Sequence, residues 1–379
     1  MRIGLDVRYI SHGLTGGVRT YVYHLARELP RWAPRHEFFF YADAKRPFEL
    51  TDLPSNVTLR VLPWGGALTS VRNDRTIGRW MERDRVEIAH FPANYGAPLD
   101  APLIVTVHDA LNLFPMSQHL RGFGRRPRQV GMMLYLGHMT RSTLKCSAHV
   151  LTVSEHARRD IATRSNYPLE RITAIHQAGS APFVPIDDCD VLRTTRSKYH
   201  LAARIVLGDG IKNPAALIEA FDRLPTALRA DTQLVFFSRE ATPRPPVAAV
   251  MGRSDVRFIP QPTNEELVRL MNLATVFAFP SWYEGFGIPL VEAMQCGTPI
   301  IASSRASIPE IVGDAGLIFD LEQPDQLTAC LQKILDDESL RSSLAKRSRT
   351  RAQEFSWQRT AERTLRVYEE VVHRANQPV

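Results

Sequence analysis

Short apolar runs alternate with longer amphipathic stretches along this chain. Met1–Val7 reads as a buried strand, followed by a glycine turn and a helix from about Val18 to Leu29. Further strands are predicted at Glu37–Tyr41, Val57–Leu62, Val86–Phe91, Leu103–Val107, His149–Val153 and Arg171–Ile175. A second series begins at Arg204–Leu207. It continues through Gln233–Phe237, Val256–Ile259, Val276–Phe279, Pro299–Ala302 and Gly316–Phe319. Short apolar runs separated by helical patterns imply crossover units and mostly parallel sheets. The chain therefore reads as α/β, with two doubly wound, Rossmann-like domains.

Between the two series, Ala181–Leu201 carries Pro182, Pro185 and the acidic run Asp187-Asp188-Cys189-Asp190 without clear periodicity. We read residues 1–183 as one domain, 184–201 as the linker and 202–355 as the second domain. Residues 356–379 form a long helical pattern with apolar Leu365, Val367, Tyr368, Val371 and Val372. No repeat of fixed period occurs. Doubly wound domains place their ligand crevices at the C-terminal ends of the strands. Two of them facing each other would hold the site in an inter-domain cleft, so the chemistry is expected in loops that directly follow strands.

Composition narrows the classes. A length of 379 residues fits two domains at about 150 residues each. Apolar residues at 44% and charged residues at 23% exclude a disordered, collagen-like or disulfide-scaffold chain. Lys and Arg number 47 against 40 Asp and Glu, a net +7. That surplus admits nucleic acid, anionic membrane or phosphorylated substrates and selects none. The four cysteines, Cys146, Cys189, Cys296 and Cys330, form no C-x-x-C, and none lies at zinc-finger spacing from a histidine, which suits a reducing cytoplasm. The first residues, Met1-Arg2-Ile3-Gly4-Leu5-Asp6, have charges where a secretory leader needs an apolar run. No apolar run reaches the ~18 residues of a membrane span. A cytoplasmic protein is expected, one that meets a membrane only at its surface.

Five strand-following loops hold candidate chemistry. Thr15-Gly16-Gly17-Val18 precedes a helix, where glycines let the backbone approach a ligand and free N–H groups face an anion. It also reads as a plain tight turn, and it is neither G-x-G-x-x-G nor a P-loop. His108-Asp109 follows Leu103–Val107; the histidine can donate to a sugar hydroxyl or phosphate, with Asp109 to orient it, or it can be structural. Gly208-Asp209-Gly210-Ile211-Lys212-Asn213-Pro214 sets Lys212 before a helix, as a point charge for phosphate or as a surface lysine. Ser281 to Gly297 is the most informative. Pro289 suits the start of a helix and Gly297 the position past its end. The turn Gly285-Phe286-Gly287 sits at that helix's positive end, where a developing anion would be stabilised. Glu284 and Glu292 flank it, spaced to accept hydrogen bonds from two hydroxyl-bearing parts of one ligand. Last, the hydroxyls of Ser303, Ser304 and Ser307 could contact a base or ribose, or belong to a capped helix start that includes Glu310.

Together these loops resemble glycosyltransferase family 4, the retaining enzymes of the GT-B fold, nearly end to end. The pattern Glu-Gly-Phe-Gly-hydrophobic-Pro-x-x-Glu-Ala stands at Glu284 to Ala293. Gly297-Thr298-Pro299, the stretch from Ser304 to Gly316 and Phe355-Ser356-Trp357 also look like the family. So do Thr15-Gly16-Gly17, Val107-His108-Asp109 and Val153-Ser154-Glu155-His156. The resemblance implies that Glu292 binds the nucleotide ribose. Glu284 would hold donor-sugar hydroxyls, and the backbone at Gly285, Phe286, Gly287 and Ile288 would meet the sugar and its phosphate. Lys212 would take the diphosphate, Gly16 and Gly17 would approach the phosphates, and His108 would contact the sugar. It also implies that the C-terminal helix crosses back onto the N-terminal domain. One departure stands out: the family carries a second basic residue shortly before the lysine, and here the loop is short and holds Ile211. Arg239 and Arg305 are the candidates to replace it.

The implied activity moves a mannose- or glucose-type hexose from a GDP- or UDP-hexose to a saccharide or polyprenyl-diphosphate-linked acceptor, in cell-surface polysaccharide or glycolipid synthesis. It calls for no metal and no obligatory cofactor. Asp188-Cys189-Asp190 imitates a metal-binding D-x-D but reads as solvated linker charge. The basic stretch His119–Arg128, followed by a helix from Pro127 with Met132, Met133, Leu134 and Leu136, is the expected contact for an anionic acceptor or membrane face, or a solvated loop beside a core helix. No nucleic-acid motif is present. The alternatives are a GT-B-like nucleotide-sugar epimerase and a catalytically impaired nucleotide-sugar binder, the latter motivated by Ile211.

Overall fold

The computed structural model of the chain describes residues 1–13, 16–115, 127–180 and 182–377. The chain forms two compact units: Met1–Gln177 together with Ser356–Val379, and Ala178–Phe355.

The first unit is built on seven strands: β1 (Arg2–Asp6), β2 (Glu37–Asp43), β3 (Val57–Leu62), β4 (Ile88–Phe91), β5 (Leu103–Thr106), β6 (His149–Thr152) and β7 (Ile172–Ala174). They lie in the order β3-β2-β1-β4-β5-β6-β7, and all pairs are parallel. Every residue of β4, β5 and β6 is buried. A parallel sheet covered by helices on both faces requires this, and it explains why these strands read as continuous apolar runs.

The second unit repeats the plan with β8 (Arg204–Asp209), β9 (Thr232–Ser238), β10 (Val256–Pro260), β11 (Val276–Phe279), β12 (Ile300–Ser303) and β13 (Gly316–Phe319). Their order is β10-β9-β8-β11-β12-β13, again all parallel. Its core packs Val206, Phe236, Val276 and Ile301 from the sheet against Leu217, Phe221 and Leu331 from helices. The thirteen strands expected from the pattern are the thirteen found among the described residues, with ends shifted by one or two residues.

The stretch 184–201 differs from expectation. It contains a helix, Cys189–Lys198, and the second unit already begins at Ala178. Asp188 is the N-cap of that helix; its Oδ1 accepts the N–H groups of Asp190 (2.9 Å) and Val191 (3.2 Å). The acidic run that breaks apolar periodicity is therefore a helix start, where a carboxylate satisfies otherwise orphaned donors. Residue 181 lies outside the described residues.

The C-terminal helix Trp357–Ala375 belongs to the first unit and packs along the helix Gly17–Trp32. Its apolar stripe includes Ala361, Val367, Tyr368 and Val371. Polar contacts fix its register: Thr360 donates to the His176 carbonyl (2.8 Å), Arg363 to the Ala174 carbonyl (2.9 Å), and the Tyr368 hydroxyl meets His90 Nδ1 (2.5 Å). The Trp357 indole stacks on His24 with centroids 4.6 Å apart. Among the described residues no helix is long and apolar enough to cross a membrane.

At the end of β1 a charged cluster is buried. Arg8 donates to Asp6 Oδ2 (2.7 Å) and to Asp74 Oδ1 (2.8 Å), and the Tyr135 hydroxyl donates to Asp74 Oδ2 (2.6 Å). Burial opposes the guanidinium charge, but Asp6 and Asp74 outweigh it and raise its pKa above the ordinary arginine value. Removing one member of a buried pair strands the other charge. Arg8→Ala is thus expected to cost the first unit about 3–5 kcal/mol, read as a lowered urea midpoint; an unchanged midpoint would show that the cluster contributes nothing to stability.

Candidate functional site

In each sheet the winding direction reverses once, between β1 and β4 and between β8 and β11. Loops leaving neighbouring strands there turn to opposite faces and open a crevice at the strands' C-terminal ends. In the second unit Val206 pairs with Val276 and Gly208 with Ala278, so the loops after β8 and β11 leave the sheet side by side. This brings Lys212 and Glu284, far apart in sequence, into contact: Nζ lies 2.7 Å from Oε1. The lysine side chain is 31% exposed and the glutamate 13%. The Ser281 hydroxyl donates to the same Oε1 at 2.7 Å, so a cation and a hydroxyl both orient one carboxylate oxygen.

The short β8 loop is shaped by Asp209. Its Oδ1 accepts the Ile211 N–H (3.0 Å) and its carbonyl accepts the Lys212 N–H (3.2 Å). Burial pushes the Asp209 carboxyl up to about 6, against the pull of the Ile211 N–H and the Lys212 charge.

The β11 loop delivers the turn Gly285-Phe286-Gly287 to the start of the helix Ile288–Cys296. Gly287 has φ +98°, a dihedral that L side chains rarely adopt, so glycine is strongly favoured there; a Cβ would also lie 2.9 Å from Leu290 Cδ1 and push that side chain aside. No side chain caps this helix start. Pro289 falls in the first turn and Gly297 ends the helix in the left-handed region, as the spacing predicted.

Two of the three hydroxyls that could contact a base or ribose make bonds within the protein. Ser307 donates to the carbonyls of Glu284 (2.9 Å) and Phe286 (3.2 Å), and Ser303 to that of Ser281 (2.6 Å). They brace the turn. Phe286, buried, meets Phe355 edge-on at 5.6 Å.

Glu292 is 2% exposed. Burial raises its pKa; the Ser180 hydroxyl, the Arg239 charge and the Ser180 N–H favour the ionised form. Of the two arginines considered as replacement cations, Arg305 is committed. It pairs with Glu322 (2.6 Å) and Asp320 (3.5 Å) and sits over the Trp282 ring. Arg239 follows β9, whose Phe237 pairs with Asp209 of β8. It is exposed, and its charge acts on both Asp209 and Glu292.

In the first unit, Gly16 has φ +114° and is the N-cap of the helix Gly17–Trp32, which has no side-chain cap. Thr15 and residues 116–126, which include most of the basic stretch His119–Arg128, lie outside the described residues. His108 is buried. Its Nε2 donates to the Pro92 carbonyl (2.9 Å), and its backbone N–H donates to Asn94 Oδ1 (2.8 Å). Burial lowers its pKa to about 4. The neutral ring therefore carries its proton on Nε2 and offers Nδ1 as an acceptor. This reverses the donor role expected for it, and the bond that orients the ring comes from Pro92. Asp109 Oδ1 accepts the Leu111 N–H (2.9 Å).

Sequence reasoning missed Ser180 and the bracing role of Ser307. Neither carries a local signal, because each acts on a segment more than twenty residues away.

The class these features define is a two-unit α/β enzyme with nucleotide-type crevices at strand ends. The family described as Glycosyltransferase Family 4 matches residues 15–178, and that described as Glycosyl transferases group 1 matches residues 209–351. The two matches span most of the chain, which belongs to this glycosyltransferase family and has its GT-B fold. O-antigen chain mannosyltransferase B of Escherichia coli is 28% identical over 298 residues, 76% of each chain. The MMP alpha-(1->4)-mannosyltransferase of Mycolicibacterium hassiacum is 28% identical over 99% of each chain. Among solved structures, Anabaena HepE in complex with UDP-glucose superposes with a TM-score of 0.70 at 14% identity, covering 98% of this chain and 100% of that one.

The buried histidines set a pH dependence. His108 and His90 are held near about 4 and about 3, against 6.5 for a free ring, in both cases chiefly by burial. The unfolded chain binds these protons first as pH falls, so stability is full above about 6.5 and is lost on acidification toward about 4 for His108 and about 3 for His90. Each ring contributes at most about 1.4 kcal/mol per pH unit in that window. Urea unfolding at about pH 7.5 and about pH 5 should show the lower midpoint at the acid end, with a shallower dependence in His108→Asn.

Proposed function

We propose that this glycosyltransferase moves a hexose from a nucleotide-diphosphate sugar to a saccharide or polyprenyl-diphosphate-linked acceptor, with retention at the anomeric carbon. The observation that carries the reading is the Lys212–Glu284 pair beside the Gly285-Phe286-Gly287 helix start. It sets a cation, a carboxylate and a glycine turn leading into a helix N-terminus at one strand-end crevice.

In this scheme the bond from the anomeric carbon to the diphosphate oxygen breaks, and the acceptor oxygen bonds on the same face. The acceptor's proton passes to the leaving phosphate oxygen, so the scheme draws on no dedicated base and no metal. Negative charge grows on the phosphate as the bond breaks. Fixed donors that meet it there lower the barrier more than they tighten ground-state binding. Lys212, the N–H groups of Gly285 to Ile288, and Gly16 and Gly17 are assigned that task. Glu284 holds sugar hydroxyls, His108 Nδ1 accepts one, and Glu292 binds the ribose. Its buried, Ser180-bonded carboxylate is pre-oriented for a pair of hydroxyls. Arg239 supplies the second diphosphate cation that Ile211 does not.

The favoured sugar is mannose, because two relatives along most of the chain are mannosyltransferases. That reading brings GDP-mannose as donor and cell-surface polysaccharide as product class, with UDP-hexose as the competing donor. Calorimetric titration with GDP, UDP and their mannose and glucose conjugates is the direct test. One nucleotide should bind, and Glu292→Ala should abolish the binding. Uniform failure to bind would reduce the protein to a member of the family without the activity.

Kinetics separate the cations. A charge-assisted hydrogen bond contributes about 1.5–3 kcal/mol, so Lys212→Ala and Arg239→Ala should each lower kcat by about one to two decades. Arg305→Ala, which removes a cation already paired, should leave kcat within about a factor of two. A silent Arg239→Ala would remove that residue from the leaving-group role.

A further inference from the structure

A second basic concavity lies in the first unit, away from the strand-end loops. It is a pocket of about 370 Å³ whose lining includes Arg141, Lys145, Arg164 and Arg171 with Ser147 and Tyr167. Lys145 and Ser147 immediately precede β6, and Arg171 immediately precedes β7. The pocket is thus at the N-terminal ends of these strands, whereas Gly16 and His108 follow the C-terminal ends of β1 and β5. It belongs to a different end of the sheet from the donor machinery.

Its charge exceeds what the fold needs. Two helices, Pro127–Cys146 and Glu155–Ser165, end here, and each C-terminus carries roughly half a negative charge. Lys145 and Arg164 stand in their last turns as expected complements. Asp160 pairs with Arg164 at 2.5 Å. Arg141 bonds only to backbone carbonyls, and neither its charge nor that of Arg171 is met by a carboxylate lining the pocket among the described residues. Two of the guanidinium groups are held in place: Arg141 donates to the Leu113 carbonyl (2.9 Å) and Arg164 lies 4.1 Å over the Phe114 ring. The excess is felt nearby. His149 is pushed down to about 4, first by burial and then by Arg374, Arg171 and Arg158.

We propose that this pocket is a binding site for a phosphate group, distinct from the donor site. Fixed guanidinium forks and an ammonium around a concavity of this size match phosphate in charge and geometry. Its surroundings favour the phosphate of an anionic lipid headgroup. Leu134, His138, Arg141 and Lys145 recur at spacings of four, three and four on one exposed face of the helix that leads into the pocket. Leu134 is 57% exposed there, and Leu169 beside the pocket is 41% exposed. Apolar side chains beside a basic cluster are the surface an anionic membrane attracts.

The test uses the full chain and the double variant Lys145→Glu/Arg171→Glu, neither residue being part of the donor site. Flotation with mixed phosphatidylcholine–phosphatidylglycerol vesicles at low salt reads the lipid arm, and calorimetry with inorganic pyrophosphate reads the soluble arm. Vesicle binding by the wild type, weakened at least about tenfold in the variant, establishes the site with a lipid source. A pyrophosphate-binding component lost in the variant, with no vesicle binding, establishes it with a soluble source. Binding of either kind that the variant retains in full, or no binding of either kind by the wild type, overturns the proposal. Equal thermal midpoints, and equal nucleotide titrations where the wild type binds nucleotide, show that the variant is folded.

Discussion

The candidate site depends on one constraint, the pairing of β8 with β11. The strands between them in sequence, β9 and β10, are wound to the other side of β8, so two chain segments some seventy residues apart leave the sheet together. Without that reversal Lys212 and Glu284 could not share a hydrogen-bonding distance. The parallel sheet also fixes the sense of the helices that follow. The helix Ile288–Cys296 begins after the C-terminal end of β11, so its N-terminus and positive dipole lie at the strand-end side of the sheet. Charge, carboxylate and backbone donors converge because of topology, and the side chains refine what topology supplies.

Refinement is visible in how the turn is held. Backbone donors aid catalysis only if they do not move as charge develops. Here Gly287 takes a dihedral that strains any other residue, Ser307 ties two carbonyls of the turn, and Phe286 packs edge-on against Phe355. Each of these groups sits one step behind a group assigned to the ligand. The first unit shows the same layering around His108, where the Pro92 carbonyl holds the ring, Asn94 holds the backbone N–H, and burial keeps the ring neutral.

Legibility in the sequence followed the range of the interaction. The central strands were readable because a strand buried on both faces writes itself as a contiguous apolar run; edge strands such as β3, mostly half-buried or exposed, were readable from their β-branched and apolar content. The helix Ile288–Cys296 was readable from Pro289 and Gly297, whose backbone preferences are local. The helix Cys189–Lys198 was not, since it is mostly polar and exposed and its N-cap aspartate stands in a run of acids that resembles linker. The bracing bonds of Ser303 and Ser307 were not readable for a different reason. A serine after a strand can serve a ligand or a distant carbonyl, and only the fold decides. The Asp6–Arg8–Asp74 cluster was invisible because its third member is sixty-six residues from the arginine.

The same distinction bears on the cation missing from the β8 loop. A second positive charge at a diphosphate need not come from the same loop, because the field at the leaving oxygen depends on distance and dielectric and not on connectivity. The strand next to β8 on its far side from β11 is β9, so the loop after β9 is the nearest alternative source, and Arg239 stands at its start. Its charge already acts on Asp209 and Glu292. Arg305, from the loop after β12, has spent its charge on Asp320 and Glu322. Asp209, held near about 6, is a local burden on any anion bound at Lys212. An arginine that offsets this carboxylate would help the diphosphate even before touching it. The shortened loop is thus compatible with an intact electrostatic site, provided that the neighbouring strand carries the charge that the loop gave up.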